Sequence, residues 1–207
     1  MRAYLILAAA TLACLHPDAG AAQEPTRSAV ARLTADLALP GELRRGLEAS
    51  LVSTFAGDGL RYDPAARAYT LMECENTEMR ARLVDLNGDA TPEVEILGGG
   101  TCIGGMAGGL NWIFIRAPST GAWRVNLDFP GGVVPLGTRS AGYLDVMAVG
   151  PGFCHGVWRW NGREYAHLCN AGEGTTRCDM PCPRTVDARM TGDELPPFTA
   201  GASPRRP

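Results

Sequence analysis

The chain has 207 residues, of which 45% are hydrophobic, and its 19 basic residues nearly balance 22 acidic ones. All of the basic residues are arginine, and they form no block or stripe of the kind that marks a nucleic-acid-binding surface. No segment after the N-terminus is apolar enough to span a membrane.

The first residues have the pattern of a secretory signal peptide, with a basic start at Met1-Arg2, an apolar run from Ala3 to Leu15 and small residues after it. We therefore predict a leader over residues 1–22 and a periplasmic or secreted protein. A second route stays open, because Leu12-Ala13-Cys14 lies where a bacterial lipoprotein would be cleaved and anchored through a lipid on Cys14.

The cysteine count supports export. Either route removes Cys14 from pairing and leaves an even number of cysteines, which in an exported chain indicates a disulfide framework. The remaining cysteines are Cys74, Cys102, Cys154, Cys169, Cys178 and Cys182.

Three regions follow the leader. Residues 23–60 are predicted to be helical, because Ser28–Leu37 and Gly41–Phe55 carry apolar residues at helical spacing. Residues 61–183 contain short aromatic or β-branched runs separated by Gly, Pro, Asn or Asp, which predict an antiparallel β domain. Residues 184–207 have few apolar side chains and are predicted to be disordered. The predicted fold class is mainly β, with one or two short N-terminal helices.

The β region also contains a weak internal repeat. Residues 92–104 resemble the stretch from Leu144 onward, with Glu93 over Asp145 and Cys102 over Cys154. Similarity at a fixed spacing is typical of duplicated supersecondary units. We expect two degenerate repeat units within one compact sheet-based domain.

The second hairpin gives a prediction for the cysteines. Asn161-Gly162 is a strong signal for a two-residue type I′ turn. That turn places Trp158 opposite Tyr165 and, further out, Cys154 opposite Cys169, at a separation that a disulfide tolerates. We predict the pair Cys154–Cys169 and, by elimination and proximity, the pairs Cys74–Cys102 and Cys178–Cys182.

The same hairpin is rich in aromatic side chains. About half of the aromatic residues on alternating strands face the core, and the others are free to contact a ligand. The candidate ligand patch consists of Trp158, Trp160 and Tyr165.

One segment has the spacing of a calcium loop. Residues 85–93, Asp-Leu-Asn-Gly-Asp-Ala-Thr-Pro-Glu, carry an oxygen at every second position. A calcium loop uses side chains at positions 1, 3, 5 and 9 and a backbone carbonyl at position 7. Here the candidate ligands are Asp85, Asn87, Asp89, Glu93 and the Thr91 carbonyl.

This segment resembles the D-x-N-G-D-G-x-x-E/D stretch of FG-GAP and VCBS repeats, which occur in integrin-type propellers and many exported bacterial proteins. The resemblance implies a structural Ca²⁺ that clamps neighbouring strands. Ala90 departs from the pattern, because calcium loops favour glycine at position 6. The alternative is a structural turn in which Asp and Asn side chains hydrogen-bond their own backbone.

Catalysis has no clear candidate in the sequence, since neither G-x-S-x-G nor H-E-x-x-H is present. His155 and His167 are expected on opposite faces of the hairpin. The favoured interpretation is a non-catalytic exported module that binds a protein or glycan of the cell envelope. The alternative is an envelope hydrolase that acts on glycan or peptidoglycan with acids of the 73–93 region, where Glu73, Glu75 and Glu78 cluster.

Overall fold

The computed structural model describes residues 19–192 and 194–199. Most of the predicted leader, and Cys14 with it, lies outside these residues. Helix α1 spans Ala19–Leu33 and helix α2 spans Gly41–Phe55. The two helices agree with the prediction, although α1 begins earlier and ends earlier than the expected Ser28–Leu37.

Ten antiparallel strands follow and form two sheets, so the predicted mainly-β fold class is confirmed. Sheet 1 is a simple meander in which each strand pairs with the next: β1 Arg61–Asp63, β2 Ala68–Leu71, β3 Cys74–Val84, β4 Glu93–Gly99, β5 Gly109–Arg116 and β6 Trp123–Pro130. Sheet 2 is a second meander: β7 Gly132–Ser140, β8 Tyr143–Val149, β9 Cys154–Trp160 and β10 Tyr165–Gly172.

The chain passes from sheet 1 to sheet 2 at Gly131. This residue has φ +101°, and a Cβ atom there would lie 2.1 Å from the carbonyl oxygen of Val149. Its N–H donates to the carbonyl of Gly109 at 2.9 Å. Only glycine fits this position, since both the positive φ and the close backbone approach exclude a side chain.

The protein is built in layers with three apolar cores. Helices α1 and α2 cover one face of sheet 1, where Phe55 packs edge-on against Trp112 with ring centroids 5.2 Å apart. The second core lies between the sheets and includes Ile113 of sheet 1 and Val146 of sheet 2. The third core lies on the outer face of sheet 2 and includes Val186 from the chain beyond β10.

The residues of the predicted repeat occupy matching strands. Strand β4 is second in the run β3–β6, and β8 is second in the run β7–β10. Glu93 and Asp145, which the alignment places together, are both buried acids on these strands. The match ends there, because Cys102 lies in the four-residue helix α3, Thr101–Gly104, whereas Cys154 begins β9.

All cysteines within the described residues are paired, and one of the three predicted pairs is confirmed. Cys74 bonds to Cys102 and ties the glycine-rich loop after β4 to the start of β3. The other two predicted pairs are wrong: Cys154 bonds to Cys178, and Cys169 bonds to Cys182.

The register of the β9–β10 hairpin explains the error. The turn has four residues instead of two, because Asn161 N–H donates to the Glu164 carbonyl at 3.0 Å and Trp160 therefore lies opposite Tyr165. A bulge between His167 and Cys169 then shifts the pairing again. Cys169 consequently lies opposite Val157, and Cys154 lies opposite Gly172, too far along the strand for the two cysteines to meet.

The prediction that residues 184–207 are disordered is wrong for the described part, 184–192 and 194–199. Val186 is buried against the outer face of sheet 2, and Leu195 is buried between the sheets. The backbone also pairs, since Asp85 N–H donates to the Pro196 carbonyl at 2.8 Å and Thr191 N–H donates to the Pro135 carbonyl at 3.0 Å. Two buried apolar side chains and these backbone bonds hold a segment whose composition is typical of disorder.

The disulfide connectivity predicts a specific tryptic digest under non-reducing conditions. Cleavage after arginine leaves Cys178 and Cys182 together in the peptide 178–184. With the observed pairs, mass spectrometry should find this peptide joined to both 140–159 and 164–177 in one covalent assembly. A 178–184 peptide with an internal disulfide, released from a 140–159/164–177 pair, would contradict the structure.

Candidate functional site

The acidic loop, residues 85–93 between β3 and β4, is closed by its own side chains. Asp85 accepts a hydrogen bond from Gly88 N–H, Asn87 accepts one from Asp89 N–H at 2.9 Å, and Asp89 accepts one from Thr91 N–H. These short-range side-chain-to-backbone bonds are Asx turns. The loop's own side chains therefore contribute to its shape.

The departure at Ala90 has no conformational cost. The left-handed position of the loop is Gly88, with φ +76°, while Ala90 is not among the residues with positive φ. Gly88 takes the role that calcium loops usually give to position 6. The defect that the sequence suggests is therefore absent from the backbone.

Leu86 connects this loop to sheet 2. Its side chain is fully buried in the core between the sheets. Its carbonyl accepts hydrogen bonds from Leu144 N–H at 2.8 Å and from an Arg139 Nη at 3.3 Å. Through Leu86 the acidic loop is thus an anchor between the two sheets.

Glu93 is the most strongly perturbed acid of the loop. Its side chain is almost completely buried and accepts a hydrogen bond from Leu86 N–H at 2.8 Å. The pKa of Glu93 is raised to about 8, mainly by burial and also by the nearby charges of Asp89 and Asp85. The Leu86 bond and a hydrogen bond with the Tyr143 hydroxyl act in the opposite direction.

The chemistry of the predicted ligands suits Ca²⁺, since all of them offer oxygen. Within residues 19–192 and 194–199, however, no three His, Cys, Asp or Glu side chains converge as a metal-binding group. Asp85, Asn87 and Asp89 direct oxygens at the loop's own N–H groups. If an ion is present, the residues to hold it are Asp85, Asn87, Asp89, Glu93 and the Thr91 carbonyl, and its contribution is to tie β3 to β4.

The predicted ligand patch of Trp158, Trp160 and Tyr165 does not form on the surface. Trp160 and Tyr165 are only 2% and 4% exposed and pack into the core between the sheets. The Tyr165 hydroxyl donates to the Leu144 carbonyl at 2.7 Å. Trp158 is half-buried and contacts Phe129 and His167. The face of the hairpin that carries these three side chains packs against sheet 1, so the rings of Trp160 and Tyr165 are part of the core.

The outer groove, on the outer face of sheet 2, contains a His–acid pair. His155 is buried, and its Nε2 lies 2.9 Å from Oε1 of the exposed Glu173. The groove has a volume of about 660 Å³ and a largely apolar lining that includes Met147 and Met190. No hydroxyl or thiol side chain is among its described lining residues, so the pair has no nucleophile beside it to activate.

Sequence reasoning identified His155 but missed Glu173. The contact between them depends on the bulge after His167, which the hairpin signal does not reveal. His167 lies on the other face of sheet 2 with Trp158, as expected, so the two histidines do not converge. The three acids proposed for a hydrolase, Glu73, Glu75 and Glu78, are exposed to solvent, and Glu78 pairs with Arg80 at 3.2 Å.

Comparisons of the chain with protein-family models, with curated proteins and with solved structures gave no match. None of the described helices is long and apolar enough to cross a membrane.

The buried Glu93 predicts a specific pH dependence of stability. Its pKa in the folded protein, about 8, lies above the ordinary value of 4.5, so the folded state binds the proton more tightly than the unfolded state. Stability is therefore full at low pH and falls as pH rises towards 8, by up to about 1.4 kcal/mol per pH unit for this one group. Urea unfolding in EDTA should show that Glu93→Gln removes this loss.

Glu75→Gln is the matched control, because it deletes an exposed carboxylate of the same sheet. Its free energy of unfolding should follow the wild-type profile between pH 5 and 8. Parallel profiles for the wild type and Glu93→Gln would show that Glu93 is ionised in the folded state throughout this range.

Proposed function

We propose that this chain is an exported cell-envelope protein that acts as a non-catalytic binding module for an envelope protein or glycan. The observation that carries the proposal is that disulfides fix surface loops whose tips expose large apolar side chains. An apolar side chain that is held exposed to solvent does not stabilise the fold. Because the loop that carries it is already fixed, less conformational entropy is lost when a partner covers it.

Three loop tips have this property. Met106 is 89% exposed in the loop that Cys102 ties to β3. Phe153 is 67% exposed immediately before Cys154, and its carbonyl accepts a hydrogen bond from Glu173 N–H at 2.9 Å. Met180 is 61% exposed between Cys178 and Cys182.

Phe153 and Met180 belong to one stapled region. Cys154, the neighbour of Phe153, bonds to Cys178, and Cys182 bonds to Cys169. The Met180 carbonyl also accepts a hydrogen bond from Asn170 N–H at 2.8 Å. Phenylalanine and methionine are enriched at the centre of protein interfaces, so these tips favour a protein partner over a glycan.

Export is supported by the disulfides and by the leader pattern of residues 1–22. Three disulfides in one chain of this size are typical of an oxidising compartment such as the periplasm or the extracellular space. In a second form of this proposal, a lipid on Cys14 anchors the module at the membrane surface. The resemblance of residues 85–93 to FG-GAP and VCBS repeats adds to the case for an extracytoplasmic protein.

The proposal predicts where a partner is contacted. A photo-crosslinking amino acid at position 153 or 180, introduced into the protein in the cell that makes it, should give a discrete adduct in the envelope fraction. The same group at position 163, an exposed arginine in the β9–β10 turn, is the control and should give none. Equal adducts at the three positions, or none at 153 and 180, would contradict contact through these tips.

The alternative function, an envelope hydrolase, is favoured by the His155–Glu173 pair in the outer groove. Its acids of the 73–93 region give no support, since Glu73, Glu75 and Glu78 lie in solvent and Glu93 is buried. If the purified protein releases soluble fragments from peptidoglycan and His155→Gln does not, the result would support the hydrolase and contradict the non-catalytic binding module.

We also propose that Ca²⁺ binds the acidic loop as a structural ion. The support is an all-oxygen donor set, the left-handed Gly88 that removes the objection to Ala90, and the proximity of three acids whose mutual repulsion a cation would reduce. The Asx turns are then the framework on which the ion is held, and the ion has no catalytic part.

The melting temperature decides this second proposal. A ligand that binds only the folded state raises the midpoint, and the rise grows with the logarithm of the ligand concentration divided by its Kd. Calcium added after EDTA treatment should raise the midpoint of the wild type by several degrees, and Asp89→Asn should reduce that rise. An identical midpoint in calcium and in EDTA would leave the loop as an Asx structure without an ion.

A further inference from the structure

A second groove, which we call the Arg–Tyr groove, lies between the end of α1 and the first strands of sheet 1. It has a volume of about 610 Å³, within the range of ligand sites. Three arginines line it from three different elements: Arg32 from α1, Arg67 from the turn before β2, and Arg80 from β3. One carboxylate, Asp36, lies among them.

The guanidinium of Arg32 stacks on a tyrosine, and its N–H groups make no hydrogen bond with any described residue. It lies over the ring of Tyr62, with its central carbon 4.1 Å from the ring centroid. Tyr62 in turn packs edge-on against Tyr69, with centroids 4.9 Å apart. Stacking uses the face of a guanidinium and leaves the N–H groups at its edge available to an oxyanion.

Arg67 is held in the groove at a conformational cost. Its φ is +54°, in the left-handed region where glycine or asparagine is usual, at the end of a turn that Asp63 closes by accepting a hydrogen bond from Ala65 N–H at 2.7 Å. Arg67 makes no hydrogen bond or ion pair with any described residue. Its exposed guanidinium is therefore available to an anion in the groove.

We propose that the Arg–Tyr groove binds a saccharide that carries an oxyanion, either a carboxylate or a phosphate. The arginines supply the forked donors that suit these groups, while Asp36 is an acceptor for sugar hydroxyls. The site has a net positive charge, because its three arginines outnumber the two nearby acids. These acids are Asp36 and the Glu78 that pairs with Arg80 at 3.2 Å. The groove is also larger than a bare inorganic anion fills.

Saccharide binding in the Arg–Tyr groove rests on the binding function proposed above, for which it specifies a ligand class and a site. It does not depend on the loop tips. The Arg–Tyr groove is built on α1 and sheet 1, whereas Phe153 lies in the loop before β9 and Met180 lies in the segment after β10. Adducts at position 153 without saccharide binding would therefore support the binding module and contradict only the proposed ligand site in the groove.

Isothermal titration calorimetry on the purified full chain at low ionic strength tests the proposal with three probes: digalacturonate, galactose 6-phosphate and the neutral disaccharide galactobiose. At least one charged probe should bind tenfold or more tightly than galactobiose, and the better of the two identifies the oxyanion. Equal binding of charged and neutral probes, or no binding of either charged probe, overturns the proposal.

Arg67→Gly separates function from folding. Glycine relieves the positive φ, so the melting midpoint should stay the same or rise, while affinity for the better charged probe should fall at least fivefold. Arg163→Ala removes an exposed arginine from another turn and should leave affinity unchanged. An equal loss in both variants would mean that the attraction is net charge alone, and undiminished binding in Arg67→Gly would mean that the groove is not the site.

Discussion

Sheet 2 depends on two disulfides because the segment that covers its outer face has too few apolar side chains to hold itself there. Sheet 1 is covered by two amphipathic helices with a large shared core. On sheet 2 the cover is the chain after β10, which contributes mainly Val186 to a small third core. Cys154–Cys178 fixes this segment to the start of β9, and Cys169–Cys182 fixes it to the middle of β10. A covalent bond limits the conformations of the unfolded chain and so replaces stability that burial cannot supply.

The buried acids follow a similar logic of compensation, with one exception. Asp145 is fully buried but receives a forked pair of bonds from Arg159 and a hydrogen bond from Thr138. Glu95 is buried between Arg82 and Asn111. Glu93, which the alignment places over Asp145, has no arginine partner among the described residues, where its hydrogen bonds come from a backbone N–H and a tyrosine hydroxyl. Since a buried carboxylate without a positive partner is costly, the pKa of Glu93 rises. The two aligned acids thus occupy the second strand of their runs but are compensated in different ways.

Local signals in the sequence predict the elements of this fold, while features that depend on register stay hidden. Helix α2, the order of short strands and the pair Cys74–Cys102 follow from periodicity, turn residues and proximity. The Asn161-Gly162 signal locates a real hairpin but assigns two residues to a turn of four, and nothing in the residues around Leu168 indicates the bulge. These two shifts misplace Cys154 and Cys169. The aromatic patch fails for another reason, because the face that carries Trp160 and Tyr165 packs against sheet 1. Composition likewise fails for residues 184–199, because order there comes from long-range contacts. The Arg–Tyr groove escapes sequence analysis for the same reason, since its arginines come from three separate elements.

The absence of lysine affects how the Arg–Tyr groove responds to pH. A guanidinium keeps its charge at any pH that the folded protein experiences, so the attraction of Arg32, Arg67 and Arg80 for an anion is constant. Any pH dependence of binding must then come from a group other than these three arginines. Glu93 is the described group with a pKa raised to about 8, and it lies on the face of sheet 1 opposite the helices. Binding in the groove and stability of the inter-sheet anchor should therefore change independently with pH. A phosphate ligand, with a second ionisation near pH 6, gains affinity through that range, whereas a carboxylate ligand does not.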